Sequence, residues 1–142
     1  MGTLLGVLLP LLFAFGLIPS DGFGRTGKTP VGPGVPRDIN TTDLGVQNAT
    51  LIAIYGYNNQ SNDIFLFKVH RIHKAQVQVV AGLKYFLYAD IGRTVCRKGK
   101  PYNFKYCSFQ TYPPLSKRLT CHFKVWVASW KQSWKMIALN CQ

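Results

Sequence analysis

Few side chains in this 142-residue chain can do chemistry. They are four cysteines (Cys96, Cys107, Cys121 and Cys141), three histidines (His70, His73 and His122) and a handful of aspartates, with no glutamate. Paired carboxylates for acid–base work would have to come from Asp38, Asp43, Asp63 and Asp90, which are scattered. His70 and His73 are three residues apart, which on a regular strand puts them on opposite sides and denies them a shared metal. No Cys-x-x-Cys pair offers a zinc site, and no glycine-rich loop offers a phosphate cradle. The expectation is a chain without catalytic residues, metal or cofactor, and so not an enzyme. The cysteines are then better read as two disulfides. Four cysteines allow three pairings. Cys96–Cys107 with Cys121–Cys141 is preferred, because it closes a short loop and then ties the last strand to its neighbour.

What remains is a set of residues suited to binding. Gly34 closes a Gly/Pro-rich stretch, the run Gln78-Val79-Val80-Ala81-Gly82 separates two strand-like segments, and Trp130 lies in a later turn. Nothing between Gln76 and Leu83 is charged. Brought together, these three features would make an uncharged wedge on a strongly charged protein. Such a tip is readily desolvated in a cleft, and Trp is a favoured interface anchor.

The elements that must position them can be read from periodicity. Gly22 to Pro36 is dense in Gly and Pro and reads as a mobile arm. Thr42 or Asp43 can cap a helix in which Val46, Ala49, Ala53 and Tyr57 recur at helical intervals until Asn58-Asn59. Gly45 and Gly56 weaken that helix, so it must depend on packing. Alternating apolar residues then predict strands from Phe65 to Val80, Leu83 to Cys96, Leu115 to Val127 and Trp134 to Asn140. Residues 97–114 read as irregular. The expected architecture is α+β: one long helix wrapped by a four- to five-stranded antiparallel sheet.

The first residues read as an address. Leu4 to Ile18 is almost wholly apolar, and Pro19, Ser20 and Gly22 follow. The run is short for a bilayer span and fits a signal peptide over residues 1–22, its end between 20 and 24, with an uncleaved anchor as the alternative. An arm over 23–33 and a folded domain over 34–142 would follow. Sequons at Asn40, Asn48 and Asn59 are glycosylation candidates in an exported chain. The formal net charge of +12 allows binding to anionic glycans or membranes, while no nucleic-acid motif is present.

At this point a resemblance becomes specific. Gln78, Val80 and Gly82 match the Gln-x-Val-x-Gly motif, Gly34 the N-terminal glycine and Trp130 the second-hairpin tryptophan of the cystatins. Ile91-Gly92-Arg93-Thr94-Val95-Cys96 resembles a strand of the secreted type-2 members, whose cysteine spacing the chain shares and which implies the same sequential disulfides. Asn62-Asp63-Ile64-Phe65-Leu66-Phe67-Lys68 and Gly82-Leu83-Lys84-Tyr85 are most similar to the leukocystatin branch. The resemblance implies reversible, tight, competitive inhibition of papain-like cysteine proteases (cathepsins) through Gly34, Gln78, Val79, Val80, Ala81, Gly82 and Trp130. It further implies a second site at Asn62, within Ser61-Asn62-Asp63, for the asparagine-specific protease legumain, although a glycan on Asn59 would crowd it. Secretion is expected, with endosomal–lysosomal delivery as a second destination. With no cysteine before Cys96, a monomer or a non-covalent dimer is expected. Ser129 stands where the family usually has Pro, which should loosen the second hairpin, and Pro33 stiffens the approach to Gly34. A rival reading keeps the fold as a basic host-defence or anionic-surface-binding module without protease inhibition. The charge favours the rival and the wedge favours the inhibitor.

Overall fold

The computed structural model describes residues 34–142, together with Gly2 and Gly16. Apart from those two glycines, the proposed signal peptide and the arm over 23–33 lie outside these residues. The described chain runs β1 (Arg37–Ile39), α1 (Leu44–Gln60), β2 (Phe65–Val80), β3 (Gly82–Arg97), β4 (Arg118–Ala128) and β5 (Ser133–Cys141). The five strands form one antiparallel sheet in sequence order, a meander in which each strand pairs with the next. This is the expected α+β design, with the fifth strand supplied by β1, which periodicity alone does not reveal in three residues.

α1 starts where the Asp43 carboxylate accepts from the Gly45 and Val46 amides at 2.8 and 3.3 Å, satisfying two donors that the first turn leaves free. Its buried face carries Val46, Ala49, Ala53 and Ile54. That face packs on Phe67, Ala75, Val77, Leu87, Ile91, Phe123 and Val125 of the sheet in one apolar core. The two helix glycines fall where the sheet comes closest. A Cβ on Gly45 would collide with the Tyr85 hydroxyl, and one on Gly56 would lie 2.8 Å from the Met136 methyl. Their cost to helix propensity is therefore offset by close packing.

The helix outlasts the sequence pattern, running to Gln60 instead of ending at Asn58-Asn59. Buried Asn58 explains this. Its side-chain amide donates to the Phe67 carbonyl and accepts from the Phe67 amide, both at 2.9 Å, so a helix-weakening residue becomes a clamp onto β2.

One expectation fails for a definite reason. His70 and His73 do not point to opposite sides of β2. The pairing of β2 with β3 slips between Val69 and Arg71 and again between Ile72 and Lys74, so each histidine occupies a bulge. Both rings consequently turn to the outer face, away from α1, where His70 meets Phe109 and His73 meets Tyr88. Among the described residues, no group of three His, Cys or Asp side chains could hold a metal.

All four cysteines are in disulfides, Cys96 with Cys107 and Cys121 with Cys141. The first anchors the long β3–β4 connection, and the second joins directly opposed residues of β4 and β5. Both bonds constrain the unfolded chain more than the folded one.

Candidate functional site

Three segments far apart in sequence meet at one end of the sheet. β2 and β3 form a long hairpin with Ala81 alone at its tip, between the paired Val80 and Gly82. β4 and β5 turn through one short helical turn at Ser129–Lys131, followed by Gln132 at φ 47°. Because Leu83 pairs with Val127, this second turn lies beside the first. The N-terminal segment arrives along β1, where Arg37 pairs with Val77, and this carries Gly34 to the level of Gln78.

Two side-chain hydrogen bonds tie the three together. The Gln78 amide donates to the Gly34 carbonyl at 2.8 Å. The Trp126 indole N–H donates to the Ala81 carbonyl at 2.7 Å, crossing from the second hairpin to the first. Trp126 also meets the Trp130 ring edge to face, with centroids 6.1 Å apart. Gln78 and Trp126 thus act as positioning residues.

Gly82 has the least freedom of any residue here. Its φ of +91° suits glycine alone, and a Cβ would fall on the Val127 backbone carbonyl. It lets the two hairpins touch.

The edge that results is apolar and open. Val79 is 51% and Trp130 59% exposed, with Ala81 also exposed at the tip. Val35, half exposed beside Gly34, extends it. Gly34, Gln78, Val79, Val80, Ala81, Gly82 and Trp130 are therefore neighbours. Sequence reading missed Val35 and the role of Trp126. Val35 sits in a stretch read only as an arm, and Trp126 looks like one more member of an alternating strand. Among the described residues no acid or thiol accompanies the edge, which is suited to insertion and desolvation.

Asn62 lies elsewhere, beyond the opposite end of β2 and roughly 50 Å of strand path from the tip. It is exposed on a braced turn. Ser61 Oγ accepts from the Asp63 amide at 3.1 Å, and Lys98 donates through its ammonium to the Ser61 carbonyl. Burial pushes the Asp63 carboxyl up, but the Phe65 amide and the Arg93 guanidinium, at 2.6 Å, outweigh it and hold the group below its ordinary value. A shallow cleft of about 430 Å³ surrounds the turn, lined by Arg97, Lys98 and Lys100.

The three sequon asparagines are all exposed. Asn40 already accepts from the Thr42 amide and hydroxyl at 2.9 and 2.8 Å, whereas Asn48 and Asn59 stand on the outer surface of α1.

Residues 34–130 match the family model described as Cystatin domain. The chain is 40% identical to human Cystatin-F over 140 residues, covering 99% of this chain and 97% of that protein. It is 33% identical to human Cystatin-C over 137 residues, covering 96% and 93%. Among solved structures, dimeric human cystatin F superposes with a TM-score of 0.73 at 41% identity, covering 84% of this chain and 95% of that one.

Proposed function

Because this chain belongs to the cystatin family, whose members are protease inhibitors and not enzymes, we propose that it is a reversible, tight-binding, competitive inhibitor of papain-like cysteine proteases. The observation that carries this reading is the joined edge itself. Gln78 holds Gly34, and Trp126 holds Ala81, so Gly34, the uncharged Gln78–Gly82 tip and Trp130 present one surface. In this reading Val79, Val80, Ala81 and Trp130 enter the protease cleft on either side of its thiol, with Gly34 and the chain before it along the non-primed side. The hairpins are held ready by the sheet and its disulfides, which limits the ordering cost of docking. In this reading the edge fills the cleft without offering the thiol a peptide bond in reacting geometry.

The fate of the inhibitor tests the reading. Papain incubated with an excess of purified chain should be inhibited, should regain activity on dilution, and should leave the chain intact by mass spectrometry. Cleavage within Gln78–Gly82 as the inhibition fades would make the chain a slow substrate instead.

Trp126→Phe keeps an aromatic ring, though a smaller one, and removes one hydrogen bond. Such a bond is worth about 1 kcal/mol, so the inhibition constant for papain should rise about fivefold while thermal stability changes little.

A second reading concerns Asn62, and its exposure on a braced turn favours it. The proposal extends to legumain, which would take Asn62 while the wedge stays free, because the two sites lie at opposite ends of β2. Asn62→Lys should abolish legumain inhibition and leave papain inhibition unchanged in parallel titrations. Loss of both would show damage to the fold. Removing the sequon with Ser61→Ala would also remove a turn hydrogen bond, so Asn59→Gln is the cleaner test of crowding by a glycan.

The chain is further proposed to be secreted, with endosomal–lysosomal delivery as a second destination. Among the described residues, no helix is long and apolar enough to cross a membrane. With every cysteine in an intrachain bond, any dimer it forms is non-covalent.

A further inference from the structure

The wedge uses none of the +12 charge, and the bulges in β2 arrange part of that charge in an unexpected way. Lys68, Arg71 and Lys74 are three residues apart and would alternate sides on a regular strand. With His70 and His73 each absorbed in a bulge, they pair with Gly92, Asp90 and Tyr88, every second residue of β3. All three therefore lie on the outer face. Across β3, Arg118, His122 and Lys124 of β4 pair with Gly92, Tyr88 and Phe86 on that same face.

Two cationic rails thus flank β3. They are two strand spacings, roughly 10 Å, apart and extend along roughly 20 Å between the levels of Phe86 and Gly92. The floor between them is aromatic. Phe109 lies over Gly92, with Lys68 4.6 Å and Arg118 5.8 Å from its ring centre. Phe86 and Tyr88 line a cleft of about 290 Å³ between Lys74 and Lys124. The one acid on the floor is already engaged by hydrogen bonds. Asp90 accepts from the Thr120 hydroxyl at 2.8 Å and pairs with His73 at 2.7 Å. Asp38, at the edge, comes within 3.8 Å of Lys74, and both are exposed, so that pair is weak.

We propose that this outer face is a binding groove for a linear sulfated polysaccharide, its anionic groups held by Lys68, Arg71 and Lys74 on one side and Arg118, His122 and Lys124 on the other. Parallel rows of cations suit a polyanion of regular charge spacing. The C–H face of one pyranose ring can rest on Phe86 once the Lys124 ammonium, 5.7 Å from its ring centre, turns to an anionic group, an amphipathic contact that a lipid headgroup plane cannot make across a recessed floor. Single-stranded nucleic acid stacks successive bases on successive free aromatic faces. Here Tyr88 is already flanked by His73 and His122, with ring centres 5.2 and 4.4 Å away. The groove lies on the sheet's outer face and the wedge at its end, so a polysaccharide and a protease need not compete.

Titration of the purified chain with a heparin octasaccharide over a series of NaCl concentrations tests the groove. Arg71→Gln combined with Lys124→Gln should weaken binding about tenfold or more and lower the slope of log K against log salt by about two. Lys68→Gln with Arg118→Gln should act alike. Lys100→Gln with Lys105→Gln removes the same charge from the β3–β4 connection and should leave the slope unchanged; melting temperatures check that all variants fold. Equal losses in every pair would reduce the effect to net charge and overturn the groove. So would no heparin binding by the unaltered chain, or tighter binding to phosphatidylserine vesicles or an oligothymidylate than to heparin.

Discussion

Gly82→Ala should weaken inhibition of papain by about a hundredfold or more, although it adds one methyl group. Gly82 sits at φ +91°, where a Cβ carries steric strain of the order of 1–3 kcal/mol. The added atom would also fall on the Val127 carbonyl, and the next nearest atoms are the Val127 carbonyl carbon at 3.1 Å and the Trp126 indole nitrogen at 3.3 Å. Backbone of a paired strand cannot swing aside as a flexible side chain does. The first hairpin must lift away from the second, and the Trp126 indole then loses the Ala81 carbonyl. A hundredfold change corresponds to about 2.7 kcal/mol, a scale that the strain and the lost alignment together supply. Melting temperature should fall by roughly 4–12 °C, the scale of that strain, because the core beneath α1 is untouched. The papain inhibition constant, measured beside a thermal melt, checks both halves. An unchanged constant would mean that the hairpins need not touch.

Trp130→Ala should also cause a large loss of affinity, but with no loss of stability. The side chain is 59% exposed and stands outside the core. Its removal leaves Trp126 bonded to Ala81, so the first hairpin stays in place. Exposed Trp anchors at protein interfaces commonly contribute 2 kcal/mol or more, so inhibition should weaken by about thirtyfold or more. Most of that should appear as faster dissociation. Stopped-flow or surface-binding kinetics with papain, together with a melt matching the unaltered chain, would show it. A loss smaller than threefold would place the binding energy on the first hairpin and the N-terminal segment alone.

How much of this was legible in the sequence depends on where each residue finds its partner. The helix and four strands could be read because their apolar periodicity is local. Gly34, the Gln78–Gly82 run and Trp130 stood out because uncharged residues are conspicuous in so basic a chain. Their neighbours did not. Trp126 bonds to a carbonyl 45 residues earlier in sequence, and nothing in an alternating strand marks one apolar residue as a bridge between hairpins. β1 is too short to show a period, and only pairing with Val77, Gln76 and Ala75 makes it a strand. Asn58 reads as a helix breaker until β2 supplies both of its hydrogen bonds. The bulges at His70 and His73 are the largest departure, since they reverse which face each side chain takes and align Lys68, Arg71 and Lys74. Alternation rules assume an unbroken ladder, and a bulge is a property of two strands together.

The most direct test of the central claim is a titration of active papain with the purified, unaltered chain, read with a small peptide substrate at several substrate concentrations. If the joined edge enters the protease cleft, inhibition should be competitive, one chain per protease, with a constant in the nanomolar range. Full papain activity at micromolar chain would contradict the account, and leave the fold with a surface that does something else.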